Sequence, residues 1–382
     1  MTTNLTNSTN KVPNVPPLRF PEFTGEWEKF ALSDFTERVT RRNKGNTCKL
    51  PLTISAQYGL VDQITFFNKQ IASTDMSNYY LLKKGEFAYN KSYSGDYPWG
   101  AVKRLDRYNE GCLSSLYICF SLKPSVHSDY ITHYFETAKW YQGISEIAGE
   151  GARNHGLLNI AILDYFDTKH YLPINPQEQE KIATLFNLLT ERIETQNKII
   201  EDLKTLKSAI SAKLLHNSCW NDMKIHEICH TLNYKQYIAK NIQETGEFPV
   251  IQQGDNPICG YSHETPFDNY KNVLLFGDHT LSLYKPNSKF LLATDGIKVL
   301  LPTGHIKRDF LYYLLEANMP KSEGYKRHYS ILKEVNVKVP PIEEQEKISG
   351  VFIAIDDKIA LEQLLKSSYK AQKAFLLQQM FI

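Results

Sequence analysis

Apolar residues recur along one stretch of the chain at alternating intervals of four and three. The pattern is apolar at eight of ten positions, which predicts a long helix with a coiled-coil seam. The ten positions are Ile182, Phe186, Leu189, Ile193, Gln196, Ile200, Leu203, Lys207, Ile210 and Leu214. The helix is predicted to begin at Pro176, with Asn175 as N-cap and Glu178 completing a capping box. Roughly 40 residues at about 1.5 Å each give a helix of about 60 Å, which suits a spacer better than the interior of one small domain.

The same pattern occurs a second time. Gln179-Glu180-Lys181-Ile182 returns 166 residues later as Gln345-Glu346-Lys347-Ile348 and opens a stretch that reaches the C-terminus. The polar break at Gln196 recurs as Glu362. Beyond Glu362 the apolar phase is predicted to slip to Leu365 and Tyr369, and then to Leu376 and Met380. Two long helices with apolar seams in one chain are predicted to pair with each other in antiparallel orientation.

Weaker matches surround the helices and extend the repeat. Trp27 and Trp220 lead similar passages, Lys84-Gly85-Glu86 resembles Phe276-Gly277-Asp278, and Gly151–His155 resembles Gly324–His328. Together with the repeated helix start, these three matches make four in the same order. They predict a globular domain followed by a helix, present twice. The distance from the glycine of the second match to the histidine of the third is 19 residues shorter in the second copy. The copies are therefore predicted to agree at their ends and to diverge in their middles.

Within the predicted domains, short β-rich runs alternate with turns, and one short amphipathic helix is predicted at Asp129–Ala138 and another at Asp309–Ala317. The predicted fold class is therefore α+β. The predicted strands are Leu50–Ser55, Leu116–Leu122, Phe248–Gln252, Val273–Phe276 and Ile297–Leu301. The predicted divisions are a disordered tail at 1–17, a first domain at 18–172, a central long helix at 173–216, a second domain at 217–338 and a C-terminal long helix at 339–382.

Composition narrows the function without naming it. Lys+Arg 44 against Asp+Glu 42 gives a net charge of +2, so any nucleic-acid-binding surface must be local. The six cysteines lack the spacing of a zinc site and are expected to be reduced, as in a cytoplasmic protein. No signal peptide, membrane span or phosphate-binding P-loop motif is recognised, and no catalytic constellation is found.

Two loops combine amide, cationic and aromatic side chains with Gly and Pro turns. They lie at Tyr89–Gly100 and Gln252–Ser262, and such residues can hydrogen-bond base edges and phosphates. Ordinary polar turns have the same composition and are the simpler interpretation of either loop alone. Cationic residues beside the repeated histidine are open to the same two interpretations, as solvated charges or as phosphate contacts. Recurrence in both copies makes phosphate contact about as plausible as the simpler alternative.

The order of elements resembles the DNA-specificity subunit of type I restriction-modification systems. The residues that carry the resemblance are the Trp-led domains, Pro16–Trp27, and the helix starts at Asn175-Pro176 and Pro341-Ile342, each followed by Gln-Glu-Lys-Ile. The two starts differ in sequence, which is expected to alter the junction slightly. The resemblance implies two similar target-recognition domains separated by two long helices that form an antiparallel coiled coil, a pseudo-twofold repeat without catalytic activity of its own.

The resemblance also implies partners. These are double-stranded DNA, two methyltransferase subunits and motor-nuclease restriction subunits. S-adenosylmethionine is expected on the methyltransferase, ATP and Mg on the motor-nuclease, and no cofactor on this chain. Two domains at opposite ends of a helix pair would read a bipartite, asymmetric target with a spacer below roughly 18 base pairs.

The hypothesis assigns base and phosphate contacts to the two loops and to the neighbouring cations. The candidate DNA-binding residues are Asn90, Lys91, Ser92, Tyr93, Trp99, Arg104, Arg153, His155, Gln252, Gln253, Asn256, Tyr261, Ser262, Lys285, Lys326, Arg327 and His328. One alternative is a coiled-coil scaffold with two protein- or carbohydrate-binding domains and no DNA role. Another is a self-sufficient restriction enzyme, which the missing motifs disfavour. Salt-dependent binding to random duplex DNA separates the scaffold from the DNA reader.

Overall fold

The computed structural model describes residues 13–55, 58–92, 97–148, 157–322, 324 and 326–382. The chain divides into two compact units. Unit 1 comprises Met1–Thr195 and Lys366–Ile382, and unit 2 comprises Gln196–Leu365. Each unit therefore contains one globular domain and one segment of each long helix.

The helices alternate with short strands along both halves of the chain. In chain order the helices are α1 (Leu32–Phe35), α2 (Gln63–Phe67), α3 (Ser128–Tyr134), α4 (Tyr141–Ile147), α5 (Ile162–Asp167), α6 (Pro176–Leu214), α7 (Ile225–Ile228), α8 (Arg308–Ala317), α9 (Tyr329–Leu332) and α10 (Ile342–Gln379). The strands of unit 1 are β1 (Glu28–Ala31), β2 (Thr36–Arg38), β3 (Leu52–Ser55), β4 (Gly59–Asp62), β5 (Tyr80–Lys83), β6 (Phe87–Asn90), β7 (Ala101–Arg104), β8 (Glu110–Leu113), β9 (Ile118–Leu122) and β10 (Lys169–Leu172). The strands of unit 2 are β11 (Asn221–Lys224), β12 (Cys229–Thr231), β13 (Phe248–Ile251), β14 (Ile258–Ser262), β15 (Leu274–Gly277), β16 (Leu283–Tyr284), β17 (Leu291–Leu292), β18 (Ile297–Pro302) and β19 (Asn336–Val339).

The first long helix begins where its sequence predicts. The Asn175 side-chain oxygen accepts a hydrogen bond from the backbone N–H of Gln177 at 2.9 Å, which confirms Asn175 as the N-cap. The capping-box role predicted for Glu178 is wrong. Its carboxylate accepts two bonds from the Arg19 guanidinium at 2.7 and 2.8 Å and one from the Trp27 indole at 3.2 Å. A guanidinium is a stronger partner for a carboxylate than the N-cap amide.

The predicted antiparallel pairing of the long helices is confirmed within each unit. In unit 1, Thr190 of α6 accepts a bond from Lys373 of α10 at 2.9 Å, and the rings of Phe186 and Phe381 lie 5.7 Å apart. In unit 2, Lys207 of α6 forms an ion pair with α10. All ten predicted seam positions of α6 are buried or half-buried.

The seam of α10 keeps its four-three spacing to the end, so the predicted slip to Leu365 is wrong, whereas the predicted seam positions Tyr369, Leu376 and Met380 are confirmed. Beyond Glu362 the positions that continue this spacing, Lys366, Tyr369, Lys373, Leu376 and Met380, are all buried or half-buried, whereas Leu365 is exposed. The sequence pattern misled because two of these positions are lysines. A lysine can bury its aliphatic stem in a seam while its ammonium group reaches a polar partner.

Both units contain the same sheet framework. At the base of the long helix, β1 pairs with β10 in unit 1 and β11 pairs with β19 in unit 2. Each unit then forms a four-stranded antiparallel sheet, in the order β2-β9-β6-β7 or β12-β18-β15-β16. The short helix predicted at Asp309–Ala317 is confirmed as α8, and the one predicted at Asp129–Ala138 is found as α3, which ends four residues earlier, at Tyr134. The predicted strands lie within two residues of observed ones.

The middles of the two copies differ, as predicted. Unit 1 inserts the strand pairs β3-β4 and β5-β8, whereas unit 2 inserts a three-stranded sheet in the order β14-β13-β17. One predicted match is wrong. Gly85 lies in the turn before β6 with φ 89°, whereas Gly277 is the last residue of β15, the strand that occupies the position of β6.

The described part of the predicted tail is ordered. Trp27 donates its backbone N–H to the Asn14 carbonyl at 2.8 Å, and Leu18 donates to the Gln379 carbonyl at 2.9 Å. Residues 13–17 therefore pack on unit 1, and residues 1–12 lie outside the described part of the chain. Trp27 is buried in the core of unit 1 with Phe186 and Phe381. The core of unit 2 is built around Phe276, Phe310 and Phe352.

Candidate nucleic-acid interface

A buried glutamine joins the base of the long helix to the globular domain in each unit. The Gln179 side chain donates to the Pro173 carbonyl at 2.9 Å and accepts the His127 backbone N–H at 2.8 Å. The Gln345 side chain donates to the Pro340 carbonyl at 2.9 Å and accepts the Lys307 backbone N–H at 2.9 Å. His127 and Lys307 are the N-caps of α3 and α8. The repeated glutamine therefore orients the matched helix of each domain.

Two predicted phosphate contacts, Arg104 and Lys285, occupy equivalent places and are engaged inside their units. Arg104 pairs with Asp129 at 2.7 Å and with Asp106 at 2.6 Å. Lys285 lies 3.6 Å from Asp309 and 4.6 Å from the centre of the Tyr312 ring. Asp129 and Asp309 lie in the first turns of α3 and α8, where a negative charge is favourable. The structure gives both cations a domain-internal role, and phosphate contact stays a prediction.

Three segments of unit 2 that are distant in sequence come together, and we name them the turn cluster. They are the β13–β14 turn (252–257), the β15–β16 turn (278–282) and residues 326–328. Gln253 accepts the His279 backbone N–H at 3.1 Å, and Gly254 donates to the Ser282 hydroxyl at 2.9 Å. The His279 ring lies 3.1 Å from the Lys326 carbonyl oxygen. The structure thus brings together Gln252, Gln253, Asn256, Lys326 and Arg327, which were predicted from separate stretches.

Two glycines permit this close approach. A Cβ atom on Gly277 would lie 2.8 Å from the Cβ of Gln253, and one on Gly296 would lie 2.8 Å from the Gln253 side-chain nitrogen. Distances this short require the neighbouring group to move. Glycine at these two positions therefore allows the β13–β14 turn to pack against the central sheet.

The floor of the turn cluster is a buried carboxylate. Asp278 is 2% exposed, accepts the Tyr329 backbone N–H at 2.8 Å, and lies 3.7 Å from the Lys298 ammonium. Burial raises the pKa of Tyr329 to about 12, so its hydroxyl stays protonated. Lys326, Arg327 and Asn256 are exposed above this floor. Exposed cations beside amide side chains on rigid turns can hold a phosphate and address base edges.

Two further candidate DNA-binding residues are buried. His328 and Ser262 are 0% and 2% exposed. The His328 ring contacts the Asp278 carbonyl at 3.1 Å, so it supports the turn cluster from within. Neither side chain reaches the surface of the described structure, and the direct DNA contact predicted for both stays a prediction. Tyr261 lies beside Ser262 at the far end of β14 from the turn, with its backbone paired to Gln243.

In unit 1 the predicted loop is the β6–β7 turn, which occupies the same topological position as the β15–β16 turn of unit 2. The Asn90 side chain accepts the Ser92 backbone N–H at 3.0 Å, and the Tyr89 hydroxyl donates to the Trp99 carbonyl at 2.8 Å. Burial raises the pKa of Tyr89, which keeps this hydroxyl a donor. Lys91 accepts the Leu158 N–H through its carbonyl at 3.0 Å. The loop is thus anchored at both ends.

Tyr93, Arg153 and His155 lie outside the described residues. Sequence reasoning missed other residues. In unit 2 it overlooked His279, Thr280 and Ser282, although they lie in a short polar turn directly after a predicted strand. In unit 1 it overlooked the segment Arg38–Lys44, in which four of seven residues are basic.

Two general findings limit other chemistry within the described ranges. No group of three or more His, Cys, Asp or Glu side chains there could hold a metal ion. No helix in the described part of the chain is long and apolar enough to cross a membrane. The six cysteines are free thiols, and burial raises the pKa of Cys119 and Cys229 to about 12.

Part of the chain is similar to a described protein family. Residues 217–368 match the family described as the type I restriction modification DNA specificity domain. No curated protein matches the chain.

Two solved structures share the fold over almost the whole chain. The S subunit of a type I restriction-modification system from M. genitalium is 18% identical with a TM-score of 0.62, over 96% of this chain and 99% of that one. A chain from a study of complex assembly and conformational transition of the type I R-M system is 16% identical with a TM-score of 0.54, over 93% of this chain and 97% of that one. The resemblance stated from the sequence is confirmed.

Proposed function

We propose that this chain, whose residues 217–368 form a type I restriction-modification DNA specificity domain, is the sequence-reading subunit of such a complex. Each globular domain reads one half of a bipartite, asymmetric target in double-stranded DNA. Two adenine-N6 methyltransferase subunits and motor-nuclease subunits assemble on it. S-adenosylmethionine belongs to the methyltransferase, ATP and Mg belong to the motor-nuclease, and this chain binds the DNA.

The observation that carries the proposal is the repetition of the specificity-domain framework. The family match covers the domain of unit 2, and unit 1 has the same four-stranded sheet order, helix base and glutamine anchor. The interiors differ, because β3-β4 and β5-β8 stand where unit 2 has a three-stranded sheet. Equal frameworks with unequal interiors support two different half-sites.

The turn cluster of unit 2 supplies the chemistry for one half-site. Lys326 and Arg327 suit phosphate oxygens, whereas Asn256 carries the paired donor and acceptor that an adenine edge requires. The Gln252 side-chain nitrogen donates one N–H to the Asn256 carbonyl at 2.9 Å and keeps its second N–H and its oxygen for a base edge. Because the turns are fixed to the sheet through Gln253 and Asp278, little ordering remains for binding. Rigid turns that present amide groups support sequence reading as well as general DNA affinity.

The decisive experiment expresses the chain with its neighbouring methyltransferase and maps N6-methyladenine by long-read sequencing. The expected result is a bipartite, asymmetric methylated motif that disappears when this chain is omitted. Replacing Gln252 and Asn256 with alanine is expected to relax the half-site read by unit 2 and to leave the other half-site intact. A soluble complex with the methyltransferase that produces no methylated motif would contradict the proposal.

A second experiment measures how the affinity for duplex DNA depends on salt. The double variant Lys326→Ala/Arg327→Ala is expected to lower the slope of log affinity against log salt by about two, because each phosphate contact contributes about 0.9. Lys198→Ala/Lys213→Ala is the charge-matched control, since both lysines are exposed on α6. An unchanged slope in the turn-cluster variant would remove these two residues from the phosphate contacts.

A further inference from the structure

Two arginines of unit 1 converge on one tyrosine at the start of β5. The Arg42 guanidinium lies 4.1 Å from the centre of the Tyr80 ring and donates to the Asn78 carbonyl at 2.6 Å. Arg38, the last residue of β2, reaches the Tyr80 hydroxyl at 3.4 Å. Tyr80 is 4% exposed, so it is a fixed platform. Both guanidinium groups are held in place by contacts that leave their charge intact.

The backbone that carries these arginines is itself fixed. Asn43 donates its backbone N–H to the Tyr79 carbonyl at 3.0 Å, and Leu81 donates to the Arg41 carbonyl at 2.9 Å. The Asn43 side chain is fully buried and bonds the backbone N–H and carbonyl of Cys48 at 3.0 and 2.9 Å. The segment therefore presents its side chains from an ordered edge.

Arg38 and Arg42 differ from Arg41 and Arg104 in the same unit, whose charges are neutralised by carboxylates. Arg41 donates to both carboxylate oxygens of Glu86 at 2.7 Å, and Arg104 pairs with two aspartates. Within the part of the chain that the structure describes, neither Arg38 nor Arg42 forms an ion pair with a carboxylate. Lys44, Lys83 and Lys84 add exposed positive charge to the same segment and to the end of β5. A guanidinium stacked on an aromatic ring with no acidic partner is suited to a phosphate.

Unit 2 lacks this pair. Arg38 ends β2 and pairs with Phe120 of β9, whereas Thr231 ends the equivalent strand β12 and pairs with Leu300 of β18. Three residues further on, where unit 1 has Arg41, unit 2 has the buried Tyr234, which donates its hydroxyl to the Asp295 carbonyl at 2.8 Å. Lys298 lies 5.8 Å from the centre of the Tyr234 ring, but it also lies 3.7 Å from the Asp278 carboxylate, which offsets its charge. Lys235 stands where unit 1 has Arg42.

We infer that Arg38 and Arg42 form a phosphate clamp on unit 1, through which this unit contributes sequence-independent DNA affinity at a place where unit 2 contributes little. The inference rests on the proposed function and adds a residue pair outside the predicted loops. The clamp positions the duplex and reads no base, because guanidinium groups on the strand edge contact the backbone common to all sequences. It is independent of the turn cluster, which lies in the other unit.

The test uses the purified full chain and a random-sequence duplex, with affinity measured across a series of salt concentrations. Arg38→Gln/Arg42→Gln keeps much of the side-chain stem and removes both charges. The slope of log affinity against log salt is expected to fall by about two, at about 0.9 for each phosphate contact. Arg38→Lys/Arg42→Lys restores the charges and is expected to restore the slope. The single variant Arg42→Gln is expected to lower the slope by about one and is used if the double variant does not fold.

Two control variants test whether the fall in slope is specific to Arg38 and Arg42. Lys198→Ala/Lys213→Ala removes the same charge from α6 and is expected to leave the slope near that of the unaltered chain. Lys235→Ala makes the corresponding change in unit 2 and is expected to have the smaller effect. The methylated motif obtained with the methyltransferase is expected to be unchanged by the glutamine variant, since phosphate contacts carry no sequence information.

The outcomes separate the clamp from the proposed function. If the unaltered chain shows salt-dependent binding and the glutamine variant has the same slope as the α6 control, the clamp is refuted and the DNA-reading function stands. A relaxed half-site with an unchanged slope would also refute it, because the arginines would then read bases. An unaltered chain that binds duplex DNA without salt dependence would overturn both.

Discussion

Glu178 and Glu344 occupy the same position of their helices, the third residue of α6 and of α10, yet they have opposite environments. The Glu178 side chain is 1% exposed and pairs with Arg19 and Trp27. The Glu344 side chain is 46% exposed and pairs with Lys347 on its own helix. The cause is how the chain enters each domain. In unit 1 an N-terminal segment that carries Arg19 crosses the helix base, whereas in unit 2 the chain arrives directly from α6.

The difference shows that a repeated sequence gives the two units the same framework, whereas the interactions that stabilise each helix base differ. The N-terminal segment of unit 1 also bonds the end of α10 through Leu18 and forms an ion pair between Glu22 and Lys181. The hydrogen bond that Arg19 donates to Glu178 raises the pKa of the Arg19 guanidinium. A buried charge pair of this kind makes the unit 1 helix base sensitive to the loss of either member.

The largest expected effect is the contrast between Glu178→Ala and Glu344→Ala. Removing the buried Glu178 carboxylate leaves the partly buried Arg19 guanidinium without its acidic partner and is expected to lower the free energy of unfolding by about 2 to 4 kcal/mol. The Glu344 change removes an exposed pair and is expected to stay within about 0.5 kcal/mol. Urea unfolding of the two variants measures the contrast. Glu178→Gln, which keeps an acceptor oxygen, is expected to fall between them, and equal losses at the two positions would contradict the account.

The next largest effect is expected at the glutamine that both units have at the base of the long helix. Gln179→Ala and Gln345→Ala each leave buried backbone groups without partners, and each is expected to lower the free energy of unfolding by about 2 to 3 kcal/mol. Gln345 makes one more bond than Gln179, to the His305 carbonyl at 3.1 Å, so its loss is expected to be slightly larger. Urea unfolding beside the glutamate variants provides the measurement. A loss at one glutamine and not at the other would show that the framework is not equivalent.

Sequence periodicity predicted the two helices, their antiparallel pairing, the repeated domain and its divergent middle, because each of these depends on local patterning. It failed where a residue's partner is remote. Glu178 resembled a capping-box residue since nothing local reveals Arg19, which is 159 positions away. Lys366 and Lys373 resembled a break in the seam since a pattern of residue types cannot register a buried lysine stem.

The sequence predicted single residues of the candidate site but not their arrangement, because their partners are also remote in sequence. Gln252 and Lys326 stood out separately by composition, but their neighbourhood depends on glycines at 277 and 296 and on the buried Asp278. Arg38 and Arg42 are distinguished from Arg41 by the absence of a carboxylate within the described residues. Whether an arginine has a carboxylate partner is decided only in the folded protein, where the segment after β2 packs against β5.

A smaller effect concerns the lysines at equivalent seam positions. Lys373 contacts Glu136 at 2.8 Å, and Lys207 contacts Glu316 at 2.9 Å and Asp356 at 2.8 Å. Burial acts to raise the pKa of Glu136, but the His133 hydrogen bond and the Lys373 charge outweigh it and lower the pKa from 4.5 to about 2. A carboxyl group with a depressed folded-state pKa stabilises the fold above its unfolded pKa, and this contribution is lost as the pH falls.

The prediction is that Glu136→Gln loses about 1 to 2 kcal/mol of unfolding free energy at pH 7, a value discounted for partial exposure. The difference from the unaltered chain is expected to shrink as the pH falls from about 4.5 to 2. Thermal unfolding across this pH range measures it. The matched variant Glu316→Gln leaves Lys207 one carboxylate, Asp356, and is expected to lose less. A pH-independent difference for Glu136→Gln would contradict the assigned shift.

The smallest expected effect is on DNA binding by the other equivalent pair, Arg104 and Lys285. Their carboxylate partners on α3 and α8 already neutralise them, so Arg104→Gln and Lys285→Gln are each expected to change the salt slope of DNA affinity by less than about 0.3, against about one for a true phosphate contact. Affinity measured across a salt series, beside Lys326→Ala, gives the comparison. A fall of about one for either variant would mean that the ion pair opens on DNA. The first-turn aspartate would then be a competitor for that cation, and the equivalent pair would belong to the DNA interface of both units instead of to their shared framework.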